Sequence, residues 1–280
     1  MLIDAHTHFY DPSRPQGVPW PSPKDAHLYR TVLPEHFKAL AIPEGVTGTI
    51  VVEASEWVED NQWILDLAAK DPFIVGFAGN LQPGSEGFSK NLDRFTKNPL
   101  FRGIRPRGSR IKNREDAAFF DDLERLAAKD LELDLLITPE GLLDTAALAK
   151  RIPQLRIVIN HVANVLINGQ APDPAWIEGM RKAAENPNVY CKVSGLASAT
   201  RKMPAPTDAG FYAPTLDVLW QAFGEDRLVY GSDWPVCGRF ADYANVLRVV
   251  REYFEAKGKA AVEKYFWRNA KAAYKWIERR

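Results

Sequence analysis

The chain has 280 residues, 46% hydrophobic and 26% charged, with 36 Lys plus Arg against 36 Asp plus Glu. This is the composition of a packed globular protein, and the zero net charge argues against a nucleic-acid or membrane-surface partner, which favours a basic excess. No stretch approaches the ~20 apolar residues that span a bilayer, and the start carries no leader pattern.

In chain order, short apolar runs over 2–5, 48–53, 74–78, 103–105, 133–138, 157–160, 190–194 and 228–231 predict strands. They are rich in Val, Ile and Leu, and too short for helices. Their continuous apolar character suits strands of a parallel sheet buried on both faces. Between them, apolar residues recur three and four apart: Phe119, Leu123, Leu126 and Ala127; then Val218, Leu219 and Ala222; then Leu247, Val250 and Phe254. Pro72, Pro99, Pro153 and Pro187 each follow a helical pattern, where a chain leaves a helix. About eight β–α units predict an α/β fold, a single (β/α)8 TIM barrel over residues 1–280. An open doubly wound sheet is the rival, but no Gly-x-Gly-x-x-Gly turn follows the first strand. Residues 10–33 and 196–213, rich in Pro, Gly and aromatics, predict extended loops over the C-terminal mouth, where barrels place their active sites.

His6 and His8 end the first strand two residues apart, so both imidazoles face one side and can converge on a divalent ion. Hydrogen bonds to neighbours at a strand end are the plainer account of such a pair. Glu53, Arg105, His161 and Asp233 end strands two, four, six and eight. Ionisable residues at the same end of several barrel strands are what a shared catalytic mouth requires. A Glu53–Arg105 ion pair is the structural alternative for those two.

Asp4-Ala5-His6-Thr7-His8-Phe9, Gly103-Ile104-Arg105, Ile159-Asn160-His161, Lys192-Val193-Ser194-Gly195-Leu196, Tyr230-Gly231-Ser232-Asp233-Trp234-Pro235 and the closing Asn269-Ala270…Tyr274 resemble the amidohydrolase superfamily. Within it they resemble the branch of sugar-acid lactonases (L-fuconolactonase and L-rhamnonolactonase types) and 2-pyrone-4,6-dicarboxylate lactonase. The resemblance implies a hydrolase that opens a small sugar-acid lactone with activated water. It makes His6 and His8 metal ligands or carbonyl polarisers, His161 an active-site histidine, Asp233 the proton-transfer carboxylate and Arg105 a contact to substrate oxygens. A metal-independent pyrone-dicarboxylate lactonase, a lactone isomerase, a decarboxylase and an inactive barrel acting as a binding protein are the alternatives.

Strand five ends in Thr138-Pro139, and strands four and five offer neither a bridging lysine nor a histidine, so two metals are not expected. One divalent ion, zinc by its donors, at His6, His8 and Asp233 with Glu53, or no metal at all, both stay open. Arg107 and Arg110 follow Arg105 as further candidates for substrate oxygens or as solvated loop charges, and Trp20, His27 and Tyr29 in the first long loop are candidates for packing on a sugar ring. Lys192 could turn into the mouth or snorkel outward, and His36 reads as a surface residue. Cys191 and Cys237 are too few for a disulfide framework and read as small buried residues. A small polar substrate, a cytoplasmic location and an undecided oligomeric state complete the reading.

Overall fold

The computed structural model describes residues 1–106 and 116–279. Eight strands, β1 Ile3–Thr7, β2 Gly48–Val52, β3 Ile74–Gly79, β4 Phe101–Ile104, β5 Glu132–Leu135, β6 Arg156–Ile159, β7 Val189–Val193 and β8 Leu228–Tyr230, pair in sequence order. Every neighbouring pair is parallel. Backbone bonds at the C-terminal ends draw β8 back to β1: Asp233 N donates to His6 O and Trp234 O accepts from His8 N, both at 2.9 Å. The sheet is thereby a TIM barrel, as the eight apolar runs predicted, with element ends moved by a few residues.

The helices between strands form where caps and apolar stripes agree. In the helix Ala117–Ala128 the Asp116 side chain accepts the Phe119 N–H, and Phe119, Leu123 and Leu126 are buried. In the helix Tyr243–Glu255 Asp242 caps Asn245 N, while Leu247, Val250 and Phe254 pack inward. Such caps satisfy amide donors that a helix start otherwise leaves open. These stripes build the main core between sheet and helices.

A second, smaller core fills the barrel: Ile3, Ala5, Ile50, Val75, Val158 and Val229 meet Ala270, Ala273, Tyr274 and Trp276 of the C-terminal segment. That segment, the helix Asn269–Tyr274 and its tail, plugs the N-terminal end of the barrel. Arg102 Nε and Arg156 Nε donate to the Tyr274 and Ala273 carbonyls, and Ile277 N donates to Val75 O. With one end plugged, the C-terminal end is left open to a ligand. Among the described residues, no helix is long and apolar enough to cross a membrane.

Candidate active site

A cavity of ≈400 Å³ opens at the C-terminal ends of the strands, lined by His8, Trp20, Glu53, Ala54, Arg105, Pro106, Leu136, His161, Asp233 and Val236. This size falls within the range of small-molecule sites. At its floor three imidazoles surround one carboxylate oxygen. Asp233 Oδ1 lies 3.7 Å from His6 Nε2, 3.5 Å from His8 Nε2 and 3.8 Å from His161 Nε2.

Local backbone geometry sets this arrangement. Asp233 has φ +63, and its N–H makes one of the two bonds that draw β8 back to β1. His161 begins a left-handed turn, with φ 51 there and 47 and 56 at Val162 and Ala163. Left-handed geometry costs roughly 1–2 kcal/mol per non-glycine residue, so packing must hold it. Trp176 Nε1 donates to Val162 O at 2.9 Å, and Asn164 Nδ2 to Ile137 O at 2.8 Å. Such local strain clusters at functional sites.

Each imidazole is anchored through its second nitrogen. His8 Nδ1 donates to Val52 O at 2.9 Å, His161 Nδ1 meets Ser194 Oγ at 2.9 Å, and His6 Nδ1 faces Lys192 Nζ at 3.2 Å. Lys192 is fully buried, turned into the barrel, and pairs with Asp134 at 2.9 Å. Burial, with Lys192 next, pushes His6 well below its usual range. Burial pulls His161 down to about 4, against the attraction of Asp233. For Asp233, burial works upward, but His161, His8 and Arg105 outweigh it and hold the carboxyl below its ordinary value. At neutral pH the floor is therefore an ionised carboxylate facing two uncharged rings, His6 and His161.

Three sequence expectations land elsewhere. Glu53 is not in the His6–His8–Asp233 group: its Oε1 accepts from Arg105 Nε at 2.9 Å and its carbonyl from Arg105 Nη2 at 2.6 Å. The same bonds direct two donors of Arg105 at Glu53 instead of at a substrate, leaving Nη1 3.4 Å from His6 Nε2. His27 and Tyr29 are exposed and do not line the cavity, and the first long loop is tied down beside them by the Asp25–Arg239 ion pair. Trp20 does line it, edge-on to His8 with ring centroids 5.8 Å apart. Arg107 and Arg110 lie outside the described residues.

The sequence reading missed Asp134 and the anchoring role of Ser194. Glu132 and Asp134 stand two apart in an apolar run, which on a strand puts both on one face. That alternation was the available signal for charges inside the barrel.

The donor atoms of His6, His8 and Asp233 all lie within 4.8 Å of one another. Ligands about 2.1 Å from a tetrahedral ion stand about 3.4 Å apart, close to the separations at Asp233. The group fits one divalent metal.

The Amidohydrolase family matches residues 3–276. The chain belongs to this amidohydrolase family. An L-fucono-1,5-lactonase of Burkholderia ambifaria is 35% identical over 250 residues, covering 86% of this chain and 83% of the relative. A second L-fucono-1,5-lactonase, from Burkholderia multivorans, is 28% identical over 282 residues, covering 95% and 93%. The crystal structure of a Burkholderia multivorans amidohydrolase with bound Zn superposes with a TM-score of 0.89 at 26% identity, covering 99% of each chain.

In this amidohydrolase the ring-closing contact of β1 with β8 is itself ionisable. Asp4 accepts from His6 N at 3.1 Å, Ser232 N at 2.9 Å and Tyr243 OH at 3.0 Å. Burial outweighs these bonds and pushes the carboxyl up to about 6 from its ordinary 3.8. The folded value lies above the unfolded one, so the fold favours the protonated acid. Its contribution is full below about pH 4 and is lost as pH rises through about 6. Asp4→Asn should flatten that slope. Urea midpoints of both proteins between pH 4 and 7 check it, and parallel curves would refute it.

Proposed function

We propose that the protein hydrolyses the 1,5-lactone of an uncharged-ring sugar acid, with L-fucono-1,5-lactone as the first substrate to try. The observation that carries this reading is the carboxylate of Asp233, set at the floor of a cavity among three imidazoles. Opening an ester needs a base for the attacking water, polarisation of the carbonyl and a proton for the leaving oxygen. Asp233 takes the proton from water as the water oxygen bonds to the lactone carbon. His161, on the cavity wall, supports the charge that develops on the carbonyl oxygen. The C–O ring bond breaks, and the proton held on Asp233 passes to the departing oxygen, leaving the open hydroxy acid.

The two relatives named as L-fucono-1,5-lactonases support the sugar lactone. Charge supports it too. Among the described residues lining the cavity the cationic side chain is Arg105, and two of its donors are directed at Glu53. Among these described residues a dianionic pyrone dicarboxylate finds little to neutralise it, whereas a neutral lactone needs no counter-charge. Trp20, Ala54, Leu136 and Val236 add apolar surface to the cavity lining, suited to the carbon face of a sugar ring. Zinc is the metal of this reading, with His6, His8 and Asp233 as its residues, by analogy with the zinc-bound relative. When bound, such an ion lowers the pKa of water towards ~7. A cytoplasmic location belongs to the same reading, since both cysteines are free and buried.

The test is acid release at weak buffering from L-fucono-1,5-lactone, L-rhamnono-1,4-lactone and 2-pyrone-4,6-dicarboxylate. Hydrolysis of the fucono-lactone well above the spontaneous rate is expected, with none of the dicarboxylate. The reverse preference would overturn the assignment.

A further inference from the structure

Leu136 stands apart from its neighbours in the cavity. The other described residues that line it are buried or half-buried, but the leucine is 51% exposed. Of the large apolar residues exposed on the described surface, it is the one that faces this space. Alternation along the strand puts it there. Asp134 of β5 turns inward to Lys192 and Tyr274, while Leu133 and Leu135 pack into the main core. The next inward position is therefore Leu136, at the height of the mouth. The backbone just beyond is held: Ile137 is buried, and its carbonyl accepts from Asn164 Nδ2 at 2.8 Å.

Apolar surface kept open in a small-molecule cavity is surface that a ligand covers. A sugar lactone carries hydroxyls around its ring, and its apolar parts are the C–H face and, in a 6-deoxy sugar, the methyl on C5. Trp20, beside His8 of β1, suits the face. Leu136 ends β5, which lies opposite β1 in the ring of eight strands, so it meets what projects from the far edge of a lactone that spans the mouth. The polar groups on the adjoining strands are directed elsewhere. Arg105 gives Nε and Nη2 to Glu53, and His161 meets Ser194 through Nδ1 and faces Asp233 through Nε2. A hydroxyl lodged against Leu136 exchanges water for carbon, whereas a methyl there loses nothing and leaves water. We propose that Leu136 is a specificity-determining residue that seats the C5 methyl of a 6-deoxy sugar lactone and disfavours the hydroxymethyl group of the parent sugar. This role rests on the reading of the site as a sugar-lactone hydrolase, so binding is measured apart from turnover.

L-Galactono-1,5-lactone differs from L-fucono-1,5-lactone only by the hydroxyl on C6. The wild type should favour the fucono-lactone in kcat/KM by at least about 10-fold, the scale on which apolar pockets discriminate one small group. Leu136→Asn is close in size and offers an amide to that hydroxyl, and it should bring the ratio near to one. General damage to the mouth would lower both rates and leave the ratio standing. Calorimetric titration of both proteins with the two corresponding 1,5-lactams, in which N–H replaces the ring oxygen and resists hydrolysis, reads the same preference without turnover. Equal handling of the two compounds by the wild type overturns the role of Leu136, and so does a ratio that Leu136→Asn does not move. A lactam preference that Leu136→Asn abolishes, with no lactone hydrolysed, supports that role and counts against the hydrolase reading alone. Neither binding nor hydrolysis of either sugar overturns both.

Discussion

Asp233→Asn is expected to lower kcat by at least ~10²-fold while leaving the unfolding midpoint nearly unchanged. The size follows from the loss of general base catalysis, which typically contributes about 10²–10⁴-fold. The small effect on stability follows from the backbone. Asp233 sits at φ +63, in the left-handed region, where Asn is tolerated better than most residues. Alanine would add strain there and confuse the result. The amide keeps the shape of the carboxylate between His6, His8 and His161 but cannot take a proton from water. KM should move much less than kcat, because the lost interaction belongs to the transition state. Steady-state kinetics on a confirmed lactone, with a urea melt beside them, check both halves. Near wild-type turnover would show that another group is the base, and His161, 3.8 Å away on the cavity wall, would be next in line.

The barrel was legible because the strands lie in short runs rich in Val, Ile and Leu, a pattern that the packing of a covered parallel sheet favours. The mouth was legible for a related reason. His6, His8, His161 and Asp233 are polar residues directly after such runs, so the fold itself brings them to one end. What lay hidden was direction. A sequence shows that Glu53 and Arg105 end two strands, but not that Arg105 turns two donors onto Glu53 and one onto His6. Nor does it show which way Lys192 points, since a lysine in a strand snorkels outward as readily as it pairs inward. That depends on Asp134, 58 positions earlier on β5. The loop aromatics were hidden for another reason: Trp20 and Tyr29 look alike in sequence, and only the path of the loop in three dimensions shows that Trp20 lines the cavity.

Gly103→Ala is expected to destabilise the protein by about 1–3 kcal/mol or more, the usual range for overpacking a filled interior. The reason lies across the sheet. Gly103 pairs with Glu132 on β5, and a Cβ at position 103 would sit 2.0 Å from Glu132 Oε1 and 2.5 Å from its Cδ. Glu132 cannot swing aside into water, because it is fully buried within the barrel. Burial, with Asp134 adding to it, pushes its carboxyl well above the usual range. Neither of its oxygens has a hydrogen-bond partner among the described residues, so no bond fixes it against movement, yet the interior has no space to receive it. The strain then falls on β4 and β5, whose pairing also sets the position of Arg105 just beyond Ile104. Chemical denaturation of Gly103→Ala should show a lower midpoint with an unchanged slope. Gly103→Ala/Glu132→Ala should recover most of the loss, since the new methyl then fills part of the space that the carboxyl leaves. If Gly103→Ala unfolds at the wild-type midpoint, the contact with Glu132 is not what requires glycine at this position. If the double variant is no better than the single one, the cost lies in the strand backbone instead of in the clash.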